Sequence, residues 1–175
     1  MKLDTRQATF TIDGATGAIP EGWEGGHIRA FYVFLGYNTG KQPPQYNWLS
    51  VAVPSWTGIQ PPGPDPRLEP TPPDILAQLA DRSVEVTELG TLTIDGVEAP
   101  VIQVDGHLTI CSRDVLDSCR FNDPTQFYIL VPYTNGELVV EGESDLLTTP
   151  GAVTAEQASP LITALQTWAD TIDLP

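Results

Sequence analysis

The stretch FYILVPYTNGELVVEGE, residues 127–143, predicts a buried antiparallel hairpin. Its first five residues are all apolar, and a strand that is apolar on both faces is usually covered on both sides. Asn135 and Gly136 follow, and this dipeptide favours the type I′ turn that matches the twist of two paired strands. A second strand, ELVV, comes directly after the turn.

Further strands are predicted on the N-terminal side of this hairpin. Residues 8–13 alternate apolar and polar side chains, and residues 27–37, HIRAFYVFLGY, are again apolar on both faces. Residues 46–53 continue the pattern. Residues 89–104 predict a second hairpin around an Asp-Gly dipeptide, and residues 101–110 predict a third around another.

The segment PPGPDPRLEPTPP, residues 61–73, has seven prolines in 13 positions. Proline lacks the backbone N–H and fixes φ, which excludes a central strand or a helix interior. We expect a surface segment within one domain that spans residues 1–175. Its end predicts a helix over residues 72–82, with Thr71 as N-cap. The apolar residues that this helix buries are Ile75, Leu76 and Leu79.

A second helix is predicted near the C-terminus. Two N-terminal signals are present: Thr154 with Gln157 as a capping box, and Ser159 before Pro160. The helix begins at one of them, with a kink at the proline in the first case. One apolar stripe follows at helical spacing, formed by Leu161, Leu165, Trp168 and Ile172.

The composition is strongly acidic, with 23 Asp and Glu against eight Lys and Arg and a net charge of −15. Nucleic-acid binding is excluded, because phosphates must be neutralised by Lys and Arg. A basic partner, or an extracellular setting, fits this charge better. No apolar run long enough for a membrane span is present. The first ten residues do not form a signal peptide, so export would make this chain the mature part with its signal removed.

Both cysteines, Cys111 and Cys119, lie in the stretch CSRDVLDSCR, residues 111–120. A zinc site needs four ligands, and the chain has only two histidines in addition. The Cys-x-x-Cys redox motif is absent, and two buried free thiols are the remaining alternative. The charged residues between the cysteines favour an exposed loop closed by a disulfide, which would stabilise the fold by roughly 2–3 kcal/mol. Disulfides persist outside the cytosol, so we expect an extracytoplasmic protein.

The order of elements resembles a known family. The stretches that carry the resemblance are FTI (10–12) with IPEGWE (19–24), LGTLTIDGVEAPVIQV (89–104), FYILVPYTNGELVVEGES (127–144) and LITALQTWADTI (161–172). They resemble the PsbP-like domains, and among these the exported domains and lipoproteins common in actinobacteria and their neighbours.

The PsbP-like resemblance covers nearly the whole chain and implies the α+β class. The implied architecture is an α/β/α sandwich, an antiparallel sheet covered by helices on both faces. The resemblance also implies a short disulfide loop at Cys111 and Cys119, and a binding or accessory role rather than an enzymatic one. The long proline segment, residues 61–73, departs from the compact members of the family.

Aromatic residues are concentrated in the first third of the chain. Most are expected in the core, given strands that are apolar on both faces. Tyr37, Trp48 and Trp56 flank loops and are the candidates for a binding surface or a ligand groove. No phosphate-binding loop, metalloprotease motif or nucleophile elbow is present, so we predict no cofactor and no metal.

Titratable residues give further candidates. His107 and Asp114 have the residue types of acid–base catalysis and form the alternative enzyme site. Glu141, Glu143 and Asp145 alternate along one strand. We interpret these three as charges that protect an edge strand, the alternative being a grip on a cation or a basic partner.

Taken together, these features favour a non-catalytic binding or accessory module that is secreted or surface-anchored. Its partner would be a protein or a small molecule. Two alternatives remain: a small enzyme with an aromatic-lined pocket, and an acidic inhibitor or immunity-type protein that caps a basic partner.

Overall fold

A computed structural model describes 13 strands and two helices of the chain. The strands are β1 (Thr9–Ile12), β2 (Ala15–Ala18), β3 (Trp23–Arg29), β4 (Tyr32–Asn38), β5 (Tyr46–Ala52), β6 (Trp56–Gln60), β7 (Glu69–Pro70), β8 (Glu85–Ile94), β9 (Val97–Asp105), β10 (His107–Cys111), β11 (Cys119–Arg120), β12 (Gln126–Tyr133) and β13 (Gly136–Glu143). The helices are α1 (Ile75–Asp81) and α2 (Ala155–Ala169). The described residues are 9–12, 14–18, 23–29, 32–38, 46–52, 56–60, 69–105, 107–111, 119–120, 126–133, 136–143 and 153–175.

The strands form three antiparallel sheets. The largest has seven strands in the order β3-β4-β5-β13-β12-β9-β8, and we call it the main sheet. The small sheet has four strands in the order β11-β10-β6-β7, and β1 pairs with β2 in a separate hairpin. The β1–β2 hairpin is joined to the C-terminus through two backbone hydrogen bonds of 2.9 Å between Thr16 and Asp173.

The predicted α/β/α sandwich is wrong. The described residues are mostly antiparallel strand with two short helices, and the second face of the main sheet is covered by the small sheet together with the seven-residue α1, not by a layer of helices. The cause is the pairing of β10, which was expected to form a hairpin with β9. It pairs with β6 and β11 instead, and the resulting small sheet packs on the main sheet.

Two apolar clusters cover the two faces of the main sheet. Helix α2 packs on one face, which we call the α2 face, with Trp168 fully buried there against residues from β8, β9, β12 and β13. On the other face, Ile75 and Leu79 of α1 and Leu108 of β10 pack against Tyr128 and its neighbours. Because β12 and β13 supply both clusters, the prediction of a strand covered on both sides is confirmed for 127–131.

The two predicted hairpins with clear turn signals are confirmed. β8 pairs with β9 around Asp95 and Gly96, which both have positive φ, as a type I′ turn requires. β12 pairs with β13, and Gly136 is the partner of Tyr133. Gly136 is therefore the first residue of β13 and not part of the turn.

Helix α2 begins as its capping box predicts. The Thr154 hydroxyl accepts from the Gln157 N–H at 3.2 Å, and the Gln157 side chain accepts from the Thr154 N–H at 2.9 Å. Pro160 lies inside the helix. All four residues of the predicted stripe are buried, namely Leu161, Leu165, Trp168 and Ile172.

Helix α1 is shorter than predicted. Its N-cap is Asp74, whose side chain accepts from the Ala77 N–H at 2.8 Å, and not Thr71. Ile75 and Leu79 are buried as expected. Of the proline segment, only residues 69–73 lie in the described part of the chain, and Pro70 is exposed in the edge strand β7, where proline is tolerated.

Candidate functional site

The three candidate aromatic residues lie at register positions that belong to different faces. Tyr37 on β4 is the partner of Asn47, whereas Trp48 on β5 is the partner of Gly36 and of Glu143. Neighbouring positions of a strand belong to opposite faces, so Tyr37 and Trp48 lie on opposite faces of the main sheet. Trp56 lies on β6 of the small sheet. The structure does not bring the three onto one face.

Trp56 shares a row of the small sheet with both cysteines. Its register partners are Pro70 on β7 and Cys111 on β10, and Cys111 is in turn the partner of Cys119 on β11. The next residue, Thr57, is buried at 1% exposure and belongs to the opposite face. Leu108 shares the face of Thr57 and packs on the main sheet, so the row of Trp56 belongs to the opposite face of the small sheet.

The register of Cys111 and Cys119 is compatible with the predicted disulfide, which stays a prediction. Directly opposite residues of antiparallel strands have Cα atoms about 4.5–5.5 Å apart, which is within the range that a disulfide spans. We expect Cys111 and Cys119 to be bonded in the native protein. Reduction should then add two hydrogens to the intact mass, and alkylation before reduction should label neither thiol. Two thiols that alkylate freely in the native, unreduced protein would contradict the bond and weaken the argument for export.

The alternative enzyme site cannot be assembled from the described residues. His107 begins β10 as the register partner of Gln60, and Asp114 lies outside the described residues. Of the three alternating acids, Asp145 also lies outside the described residues, and Glu143 is the last residue of β13.

The interpretation of Glu141 as an edge-strand charge is wrong. β13 is the central strand of the main sheet, paired with β12 and with β5. Glu141 is only 3% exposed there, and its register partners are Tyr128 and Ser50. The Tyr128 hydroxyl donates to the carbonyl of Leu108 at 3.2 Å, so this row continues into the small sheet. Order of strands, and not the number of charges, sets which strand is at an edge.

Glu137 on β13 accepts a hydrogen bond from the first residue of α1. Its Oε2 accepts from the Ile75 N–H at 2.9 Å. This N–H is at the helix N-terminus and has no acceptor within the helix itself. Burial raises the pKa of Glu137 above its ordinary value of 4.5, the bond from Ile75 lowers it, and the nearby Asp74 charge raises it again. The net direction is upward, so this carboxylate is less stable in the folded chain than in water.

The raised pKa of Glu137 predicts a pH dependence. Between pH 4.5 and the raised value the folded protein binds more protons than the unfolded chain, so this group reduces stability as the pH rises through that window. Glu137→Gln keeps an oxygen for Ile75 but cannot ionise. We expect the stability of this variant relative to the wild type to increase with pH between 4 and 7, measured by urea unfolding at each pH.

A matched control for this pH series is Glu98→Gln, which removes one charge from an exposed position on β9. It reports the effect of lowering the net charge alone. The opposite result would be a free energy of unfolding of the wild type that rises with pH relative to that of Glu137→Gln. The hydrogen bond from Ile75 would then outweigh burial, and the pKa of Glu137 would be lowered.

Exposed acids gather at one end of the main sheet, around the β8–β9 turn and the C-terminus of α2. The Leu174 N–H donates to Asp95 Oδ2 at 3.1 Å, and Gln166 Nε2 donates to Asp170 Oδ1 at 2.6 Å. We call this group the acidic end; it consists of Asp95, Glu98, Asp170 and Asp173, all exposed.

Gln166 of α2 also binds the backbone of the last strand of the main sheet. Its Oε1 accepts from the Thr93 N–H at 3.0 Å, and its Nε2 donates to the Thr93 carbonyl at 2.9 Å. The amide thus replaces a neighbouring strand at this one residue. The sequence analysis missed Gln166; the available signal was a polar, amide-bearing residue directly beside the buried Leu165 of the apolar stripe.

Metal and membrane sites are not found in the described part of the chain. No group of three His, Cys, Asp or Glu side chains there is arranged to hold a metal ion. Among the described helices, none is both long and apolar enough to cross a membrane.

Comparisons with known proteins return nothing: no family model, no curated protein and no solved structure matches the chain. The resemblance to PsbP-like domains therefore stays a prediction, and the α/β/α sandwich that it implied is not found in the described part of the chain.

Proposed function

We propose that this chain is a non-catalytic binding module that works outside the cytoplasm and recognises a basic partner. The surface charge carries this proposal. The chain has 23 Asp and Glu against eight Lys and Arg, and Arg82 forms an ion pair with Glu69. The exposed acids of the described part are Asp74, Asp81, Glu85, Glu88, Asp95, Glu98, Glu156, Asp170 and Asp173.

The helix dipole disfavours one member of the acidic end, Asp170, although its carboxylate accepts from Gln166. The C-terminus of a helix carries a partial negative charge, so a carboxylate there is repelled and a cation is favoured. Asp170 is nevertheless the C-cap of α2, and the last turn of the helix has no basic residue. A carboxylate at an unfavourable helix end, in a chain with a net charge of −15, supports the proposal of a basic partner.

The two ends of α2 provide a matched test. Asp170→Lys and Glu156→Lys make the same change in net charge, at the C-terminus and in the first turn of the helix. With a 20-residue poly-lysine peptide as probe, we expect Asp170→Lys to weaken binding at least fivefold and Glu156→Lys less than twofold. Because it complements the helix dipole, Asp170→Lys should not lower the melting temperature.

Two further measurements test the proposal: the salt dependence of poly-lysine binding, and the comparison of the affinity losses of the two variants. Binding at the acidic end should weaken steeply between about 50 and 300 mM salt, since screening lengths fall below 10 Å in that range. If both variants lose affinity equally, the probe senses only net charge and the acidic end is not the site. If the poly-lysine peptide does not bind at about 0.15 M salt, the proposal of a basic partner is wrong.

Trp56 marks a second candidate surface. The observation in its favour is the row that it shares with Pro70, Cys111 and Cys119, since a disulfide beside a large aromatic residue would give a rigid contact at low entropic cost. Trp48→Ala is the comparison for Trp56→Ala, because the two residues lie in different sheets. If turnover of a substrate is found and His107→Ala alone abolishes it, the enzyme alternative replaces the binding module.

A further inference from the structure

The last strand of the main sheet, β8, has one backbone edge to which no described strand pairs. It is ten residues long, and within the described part of the chain its paired neighbour is β9. In an antiparallel ladder, alternate residues of such a strand direct their N–H and C=O away from the sheet. A long unpaired edge is a template for another strand, and most proteins shorten or cover it.

Gln166 identifies which residues of β8 face outward. Its two hydrogen bonds reach the N–H and C=O of Thr93, so Thr93 is an outward residue. Thr91, two positions earlier, has the same orientation in the ladder, and its register partner Pro100 has no N–H to offer it. Gln166 thus covers the C-terminal part of the edge. The part from Glu85 to Thr91, which we call the open part and which contains the register shift between Glu88 and Gly90, has no second paired strand among the described residues.

The charge along this edge indicates what kind of strand fits. Glu85 and Glu88 are exposed on the open part, and Asp95 and Asp170 lie at the covered end. A second copy of this chain brings a net charge of −15 and is repelled. The same acids that protect the edge against self-association attract a strand that carries Lys or Arg.

We propose that the open part of β8, from Glu85 to Thr91, binds an extended segment of the basic partner by strand addition. The backbone of the added segment bonds the outward groups of β8, and its Lys or Arg side chains lie on the face of Glu88, since Glu85, three residues earlier, belongs to the opposite face. This inference rests on the proposed function, since it names how the basic partner is held. It also gives Gln166 a role: the side chain ends the docking site at Thr93.

The test uses a nine-residue peptide of alternating Lys and Val with blocked ends. A second peptide with the same side chains is N-methylated at every backbone nitrogen, which removes its donors but keeps its charge. We expect the first to bind at about 0.1 M salt and the second to bind at least tenfold more weakly. On binding, hydrogen exchange at the Thr91 N–H, followed by NMR, should slow at least tenfold.

Charge reversal tests the position of the peptide. Glu88→Lys and Glu156→Lys change the net charge equally, at the β8 edge and on α2. We expect at least a fivefold loss of affinity for Glu88→Lys and less than twofold for Glu156→Lys. Equal losses would overturn the β8 site.

The remaining outcomes separate this inference from the proposed function. If both peptides bind equally and exchange at Thr91 is unchanged, strand addition is wrong while the basic partner stands. If neither peptide nor poly-lysine binds, both fail. If exchange at Thr91 slows with protein concentration in the absence of peptide, a second copy occupies the edge and the inference is overturned.

Discussion

Replacing Trp168 by alanine should lower the free energy of unfolding by about 3–5 kcal/mol, as large-to-small changes in a packed core do. Trp168 is 0% exposed and is the largest fully buried side chain in the described structure. It lies where α2 crosses the main sheet, in the cluster that also holds Leu161, Leu165 and Ile172. Since a domain of this size has a total stability of about 5–15 kcal/mol, the loss would leave a marginal fold.

Urea unfolding of the Trp168→Ala variant measures this loss directly. The matched control is Thr167→Ala, one residue earlier on α2, where the side chain is exposed and bonds only the carbonyl of Thr163 at 3.3 Å. We expect this control to remain within about 0.5 kcal/mol of the wild type. A loss below about 1 kcal/mol for Trp168→Ala would place the indole outside the core and make it a candidate for binding.

Elements with local signals were predictable from the sequence. The Asp95-Gly96 turn fixes the β8–β9 hairpin because both residues accept positive φ. The capping box of α2 needs only Thr154 and Gln157, which lie three residues apart. The burial of Trp168 follows from the 3.6-residue period of its stripe. Each of these depends on residues close together in the chain.

The features that were missed depend on distant parts of the chain. Thr71 and Asp74 are both good N-cap residues, and the helix begins at Asp74, where the Ile75 N–H meets Glu137 from 62 positions away. Likewise, nothing local shows that β10 leaves β9 and pairs with β6. That pairing turned an expected single sheet into two, and so removed the predicted α/β/α sandwich.

The same reasoning applies to the candidate site. An alternation of acids indicates an exposed strand face, and Glu141 met that pattern, yet the order of strands places it at the centre of the main sheet. Gln166 shows no motif, because its function depends on where α2 crosses β8. Of the observations that support the proposed function, the net charge is the one that could be obtained from the sequence alone.

That crossing of α2 over β8 also predicts a severe effect at Gly90. The residue lies at a break in the β8–β9 register, with φ of +158°, a value that residues with a side chain rarely adopt. A Cβ at this position would lie 3.0 Å from Cγ1 and 3.1 Å from Cδ1 of Ile162 on α2. Gly90→Ala should therefore cost about 2–5 kcal/mol, from backbone strain and overpacking together.

Gly96→Ala separates these two causes. Gly96 has φ of +77° but nothing within 4 Å of an added Cβ, so alanine there carries the backbone strain alone, about 1–2 kcal/mol. The excess cost at Gly90 should then come from Ile162. In a double-mutant cycle measured by urea unfolding, Gly90→Ala should cost less in the Ile162→Ala background than in the wild type. If the cost is the same in both backgrounds, α2 does not press on β8 at this residue, and the strained backbone accounts for the whole effect.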